Sequence, residues 1–439
     1  MNVTAPTDHV DVIVIGAGFA GITAARDLHE QGYSVLVLEG RDRLGGRTWY
    51  REFPGTSTCV EYGGTWFSTA WMTSLAREIA RYGIEVVDQP SPQSFLWATG
   101  DDRRTHAPIP AGEFGVAEKT IVALHEAMRR TPGGGLDADE DYRDIDVACS
   151  DWAPIRDLPA ASRDFAYGWA AMYGGCDPAD VSVLHYTRML AEFGNNVTAL
   201  YDGLAQKFAH GTRSLIEAMA EPIADHIRLS TTVRRVIDTG GLVRVCCDDT
   251  VLTADRVICT IPINVLNNVE FEPALPENVS AAASFGHKCM SIKAWARTRN
   301  VPDGLFGLAW PAAIQWVSNE YPLDDGTSLV VGFGYDEAEL DATDVDSVAA
   351  ALRHYAPDAE VLAVDTHDWT ADPFSAGAWS IWGPGWVVDG HADAFTAPHG
   401  RVHFAGSDVA VRWPGWIAGA IDSGTQVAAE VRSTLRRIS

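Results

Sequence analysis

Three groups of residues in this chain have types and spacing suited to chemistry. The first is Gly16, Gly18 and Gly21 in G-x-G-x-x-G spacing, with Glu39 further on. Gly16 permits a tight turn, Gly18 lets backbone approach a pyrophosphate, and Gly21 lets a helix pack close to a strand. A carboxylate at Glu39 can accept from ribose hydroxyls, so the group reads as a dinucleotide site. Alone it does not separate NAD from FAD. The second is Lys293, inside the apolar run SIKAWAR. Burying an unpaired ammonium is costly, so a lysine kept there predicts a depressed pKa or a water partner near a site. The alternative is a lysine snorkelling from a strand edge. The third is Trp379 and Trp416, which follow Ala376-Gly377 and Pro414-Gly415. Such neighbours predict exposed, positioned rings in place of mid-element packing. For Trp66 and Trp382 core packing is the better expectation.

The glycines need a strand before them and a helix after them. Residues 12–15 form a short β-branched run that predicts a buried parallel strand. A helical pattern follows over about 20–31, stopped by Gly32, and a second apolar strand over 34–38 ends on Glu39. The helix N-terminus offers free N–H groups and a positive dipole end to phosphates. Near the far end of the chain, 402–405 reads as another buried strand, 406–408 as a turn and 417–435 as a long helix beginning at Ile417. That unit again suits phosphate or ribityl hydroxyls, with Asp408 as acceptor and Ile417 at the helix start. Segments far apart in sequence are therefore expected to meet at one cofactor. The pairs Gly45–Gly46 and Gly63–Gly64 would let backbone approach a planar ligand, and Arg47 could offset phosphate charge.

Between these ends the pattern predicts a helix over 71–83 and mixed short elements over 84–140. The stretch 131–141, TPGGGLDADED, reads as a surface loop and the best site for disorder. Helices continue through 151–210, and short strands follow at 228–237, 242–247, 250–253 and 256–261. Residues 291–297 alternate, placing Ser291, Lys293 and Trp295 on one face, and 345–355 reads as helical. The segment LVVGFGYDE (329–337) imitates a second nucleotide motif, but Glu337 stands where the third glycine belongs, and acids there repel a pyrophosphate. No second dinucleotide site is expected.

With 439 residues, 46% hydrophobic and 21% charged, the chain has the composition of a soluble globular protein able to bury a large core. Its formal net charge of −26 argues against nucleic acid or an anionic membrane as partner. Basic residues are nearly all Arg; lysine occurs only at 119, 207, 288 and 293. Residues 1–10 lack a basic and an apolar region, and the tail TLRRIS carries neither anchor nor peroxisomal tripeptide. Seven cysteines without regular spacing argue against a disulfide framework, and no His/Cys cluster predicts a metal site. A reducing cytoplasm is the expected location. No G-x-S-x-G or paired carboxylates point to hydrolytic chemistry.

Three separated segments, DVIVIGAGFAG…LVLEGRDRLGGR, SIKAWAR and HFAGSDV…PGWIAGAIDSG, together resemble the flavin monoamine oxidase family. The segment HDWTADPFSAGAW (367–379) is similar to the bacterial nicotine-degradation amine oxidases of that family. The resemblance covers the whole chain, specific at the dinucleotide end and loose over 90–205. It implies an α/β fold: a Rossmann-type FAD-binding domain gathering 1–75, 205–285 and 395–439, and a discontinuous α+β substrate domain from 76–204 and 286–394. It carries FAD contacts onto Gly16, Gly18, Gly21, Glu39, Arg47, Gly63, Gly64 and Asp408, and onto Val233 at the adenine end. Lys293 matches a lysine held through a water near flavin N5. Trp379 and Trp416 match an aromatic pair that cages the amine; both are tyrosine in the monoamine oxidases, so this cage is larger and more apolar. Ala378 stands where some relatives carry a flavin-linking cysteine, which implies non-covalent FAD.

The implied reaction is oxidation of an apolar or aromatic, primary or secondary amine to an imine that water hydrolyses, with O2 reduced to H2O2. Expected partners are the small-molecule amine and O2, with homodimerisation left open. An amine dehydrogenase passing electrons to a protein acceptor is an alternative. So is an L-amino-acid oxidase, which needs a buried Arg for the substrate carboxylate; Arg188, Arg297 and Arg412 are the candidates. A third is an FAD-binding protein without turnover.

Overall fold

In the computed structural model, which describes residues 9–435, the glycine motif sits between a strand and a helix. The readings on the extreme termini lie at least partly outside the described residues. His9–Ile15 is a strand, Phe19–His29 a helix and Val35–Leu38 a second strand. The two strands pair in parallel, Val12 opposite Val35 and Ile15 opposite Leu38. Gly16, at φ +105°, makes the turn. A Cβ on Gly21 would lie 2.0 Å from the carbonyl oxygen of Gly16, so any larger residue forces the helix off the strand. Val12 and Val14 pack with Ile22 and Leu28 of this helix and with Ile421 and Val427. Ile13 and Ile15 face the opposite layer, with Val257, Val279 and Trp382. Burial on both faces explains an apolar run without alternation.

Around this unit lies an eight-stranded sheet. Its order is Glu270–Glu272, Val233–Asp238, Val243–Cys247, Val251–Cys259, His9–Ile15, Val35–Leu38 and Ile227–Arg228, with Val402–Phe404 added beside Val251–Cys259. The runs 250–253 and 256–261, expected as two strands, are one. Its first half pairs antiparallel with Val243–Cys247, while residues 253–259 pair in parallel with His9–Ile15. No glycine or proline interrupts it, so change of neighbour does not require a break. Ile417–Thr434, the long helix near the far end of the chain, crosses Phe19–His29 at Gly424, where a Cβ would sit 2.4 Å from the carbonyl oxygen of Ala20.

A second, seven-stranded sheet runs Glu360–Asp365, Ile292–Arg299, Ser328–Gly334, Trp316–Pro322, Leu305–Trp310, Ser94–Thr99 and Asp102–Arg104. The alternation in Ile292–Arg299 sends Trp295 toward Phe306 and Trp316, and Ala294 and Ala296 toward Ile314 and Val330. This strand is flanked by Ser328–Gly334 along its length and by Glu360–Asp365 from Trp295 onward, and Lys293 itself is buried, so it does not snorkel to solvent. The nucleotide-like LVVGFGYDE is part of Ser328–Gly334 and leads into turns, the next helix beginning at Val345. The 131–141 stretch departs from expectation. Gly134 is buried, its carbonyl accepts from the buried guanidinium of Arg188, and the Tyr142 hydroxyl accepts from Asp137 N at 2.9 Å and donates to Arg130 O at 3.1 Å. These bonds hold a segment whose composition alone suggests disorder.

Candidate active site

One elongated cavity is walled by residues from both sheets. Its lining includes Gly18, Glu39, Gly46, Arg47 and Asp408, the glycine pair Gly63 and Gly64, and Lys293, Phe333, Trp379 and Trp416. Two helices, Phe19–His29 and Ile417–Thr434, begin on this cavity, and neither N-terminus is capped by a side chain, so their first N–H groups are available to an anionic ligand. Glu39 is held rigidly: Oε2 accepts from Ala17 N at 2.7 Å and Oε1 from Arg41 N at 2.9 Å. The glycines keep the side wall bare; a Cβ on Gly63 would lie 2.1 Å from the carbonyl oxygen of Arg47. A long ligand with a pyrophosphate, hydroxyls and a flat ring system matches these walls, and FAD is such a ligand.

Arg47 was expected to offset phosphate charge. Its guanidinium lines the cavity and donates to Ala378 O at 3.0 Å, to Ser407 Oγ at 2.8 Å and to the carboxylate of Asp408. The other Asp408 oxygen accepts from Ile263 N at 3.1 Å. Burial pushes Asp408 up, but the adjacent Arg47 and His287 outweigh it and hold the carboxyl below its ordinary range. The ion pair thus ties 47 to 408 across the cavity. Gly16 and Gly21 lie behind the wall and shape the turn. Val233, whose backbone is expected at the adenine end, is a residue of the first sheet that buries its side chain in the core, which leaves its backbone for that contact.

At the reactive end, Lys293 is 3% exposed. Its ammonium donates to Gly63 O at 2.9 Å and Thr65 Oγ1 at 2.5 Å, and stands 4.8 Å from the centre of the Trp66 ring. Burial lowers its pKa to about 7, against the opposing pull of Glu61. Trp379 is fixed by Nε1–H to the carbonyl of Tyr173 at 2.9 Å and packs on Phe333, ring centres 5.8 Å apart. Trp416 rests against Phe193 and Trp413. The two tryptophan segments touch directly. Gly415, at φ +81°, approaches Ser380 so closely that a Cβ would lie 3.1 Å from both its N and its O.

Trp66, expected in the core, lines this cavity and also a second one beside it, which shares Leu204 and is walled by Tyr201, Phe306, Trp316 and Glu320. Trp382 does pack in the core, stacked on Trp386. Phe333, Tyr173, Met172 and Thr65 were not singled out from sequence. Phe333 lies inside the nucleotide-like motif, in a strand buried at every position, so no alternation marks the face it presents. Arg188, Arg297 and Arg412 line neither cavity; each is engaged elsewhere, with Gly134 O, Thr327 and Glu192 respectively. Among the described residues no cluster of His, Cys, Asp and Glu is suited to a metal, and no helix is long and apolar enough to cross a membrane.

Comparison with known proteins bears directly on this arrangement. The family model for flavin containing amine oxidoreductases matches residues 19–432. The chain is 34% identical to (S)-6-hydroxynicotine oxidase of Paenarthrobacter nicotinovorans, over 94% of this chain and 97% of that one. It is 31% identical to pseudooxynicotine dehydrogenase of Pseudomonas sp, over 97% and 87%. Among solved structures, wild-type putrescine oxidase bound to putrescine superposes with a TM-score of 0.87 at 25% identity, covering 98% of this chain and all of that one.

Proposed function

Because the chain belongs to the flavin-containing amine oxidoreductase family, and so oxidises amines with FAD, we propose that its substrate is an apolar or aromatic, primary or secondary amine whose electrons pass to O2, giving H2O2. Gly18, Glu39, Arg47, Gly63, Gly64, Asp408 and Ile417 hold the cofactor, with Gly16 and Gly21 shaping its turn. The unit made of 1–75, 205–285 and 395–439 carries it, and the unit made of 76–204 and 286–394 receives the amine. In support, strands of the first sheet come from 9–38, 227–272 and 402–404, and those of the second from 94–104 and 292–365.

Bound there, FAD supplies the two-electron oxidation of the amine's α C–H bond. The chain's own residues do the rest. Trp379 and Trp416 flank the amine, and Phe333 and Trp66 extend the apolar wall. Among the described residues the carboxylates lining the cavity are Glu39 and Asp408, already engaged by backbone N–H groups and by Arg47, so a bound amine gains little from staying protonated and is favoured in its neutral, electron-donating form. Lys293, poised to exchange its proton near neutrality, would hold water or a proton at its Nζ, beside Trp66 in the cavity wall. The adjoining cavity beyond Trp66 and Leu204 accommodates the rest of the substrate.

The observation that carries this reading is a single cavity lined both by two helix N-termini with bare glycine backbone and by Lys293, Phe333, Trp379 and Trp416. The test is to mix the yellow protein anaerobically with a panel of amines, follow bleaching of the flavin band, then admit air and measure peroxide. Bleaching by apolar amines with prompt stoichiometric peroxide is expected. Bleaching without peroxide would overturn the oxidase assignment in favour of a dehydrogenase, a reaction named among the relatives.

A further inference from the structure

Four charged side chains lie buried beside the aromatic wall, Lys293 and Glu320 reaching the two cavities and Glu61 and Lys207 lining neither. Two of them satisfy each other. Lys207 Nζ donates to Glu320 Oε2 at 2.8 Å, and Glu320 Oε1 accepts from Gln89 at 2.7 Å and Ser318 at 2.6 Å. The other two have only neutral partners. Lys293 donates to Gly63 O and Thr65 Oγ1, which leaves one of an ammonium's three donors unplaced. Glu61 Oε1 accepts from Thr212 N at 2.6 Å and Thr212 Oγ1 at 2.7 Å, while Oε2 is buried without a well-formed hydrogen bond, the backbone of Trp49 giving the carboxylate only weak support. Their segments are locked together. Trp295, two positions along the strand from Lys293, donates its Nε1–H to the carbonyl of Glu61 at 2.9 Å, and the groups that hold Lys293 belong to residues 63 and 65. A buried carboxylate and a buried ammonium, each short of one partner and on adjoining segments, are costly unless they answer each other.

We propose that Glu61 is the counter-charge of Lys293, a positioning residue that decides whether the amine at the reactive end carries its proton. Other charges nearby do not take this part. Lys207 and Glu320 cancel as an ion pair, Arg51 and Asp365 on the flanking strands pair at 2.6 Å, and burial keeps Tyr321 neutral by raising its pKa. Burial drives Lys293 down and Glu61 up, and each opposes the shift of the other. The two therefore exchange one proton between a charged and a neutral form of the pair. The catalytic meaning of the pair rests on the proposed role of Lys293; its existence does not.

The chain's four lysines make a direct titration feasible. Protein carrying 13C at lysine Cε is followed by NMR across pH 5–11, with Lys293→Met identifying the resonance. A midpoint near 7 is expected in the parent protein. Removing the negative charge in Glu61→Gln lowers it by about one pH unit or more, a roughly tenfold loss of proton affinity, and Glu61→Asp restores at least half of that. Thr212→Val, which removes a donor from the carboxylate without touching the pair, lowers it by less and serves if Glu61→Gln fails to fold. An unchanged midpoint in Glu61→Gln, or in Thr212→Val where only that variant folds, overturns the proposal, as does an Asp variant as low as the Gln one. If the midpoint moves while the pH profile of flavin reduction stays fixed, the pair stands and the catalytic role of Lys293 falls.

Discussion

Lys293 loses its charge on folding near neutral pH, and this has a cost that can be read in stability. Its folded pKa is about 7 against an ordinary 10.5, so between those values the unfolded chain binds a proton that the folded chain does not. This residue's contribution therefore makes the folded state more stable as pH rises through that window. Lys293→Met should stabilise the protein more at pH 7 than at pH 10, measured by urea unfolding at each pH; equal gains would show the ammonium is not strained by burial. The same variant is expected to stay yellow yet slow flavin reduction or reoxidation on the order of 100-fold, read by stopped flow. Asp408 permits a second test. Asp408→Asn keeps the shape but removes the charge that binds Arg47, and a charge-assisted bond of about 1.5–3 kcal/mol is lost. FAD should then dissociate on dilution at concentrations about tenfold higher than for the parent, seen as recovery of free-flavin fluorescence.

The elements that hold these residues differ in how openly the sequence announces them. The glycine motif, the apolar strand and the capping Gly83 of Thr73–Tyr82 follow local rules and are found within a residue or two. The join of 250–253 to 256–261 is not local: it depends on two different neighbours pairing with one strand. The order in 131–141 depends on Arg188, far along the chain. Trp66 and Phe333 face the cavity because two sheets meet there, which no window of sequence contains. The meeting of the helices Phe19–His29 and Ile417–Thr434 is equally non-local and can be probed. Gly424→Val must push Ala20 away, and overpacking of this kind costs about 1–3 kcal/mol. Urea unfolding should show that loss together with weaker flavin retention, since both helices begin at the cofactor cavity. A full loss of stability with unaltered flavin binding would separate the helix contact from the site.

At the scale of the whole molecule, the placement of arginine restricts what enters. Arg47 is the only arginine lining the large cavity among the described residues, and it is already bound to Asp408. α-Amino acids, which need a partner for their carboxylate, should bleach the flavin far more slowly than apolar amines of the same side chain. Phenylalanine against phenethylamine is the direct comparison. Ala378, beside the cage, offers no nucleophile, so acid precipitation should leave the flavin in the supernatant. The walls of the cavity also come from Gly18 at one extreme of the sequence and Ala420 at the other. A ribosome adding roughly 5–20 residues per second finishes the first wall tens of seconds before the last. The nascent chain must therefore keep the first strand and its glycine turn in a provisional state until Ile417–Thr434, the helix that covers them, has been made, and the vitamin-derived cofactor meets a complete cavity only after that.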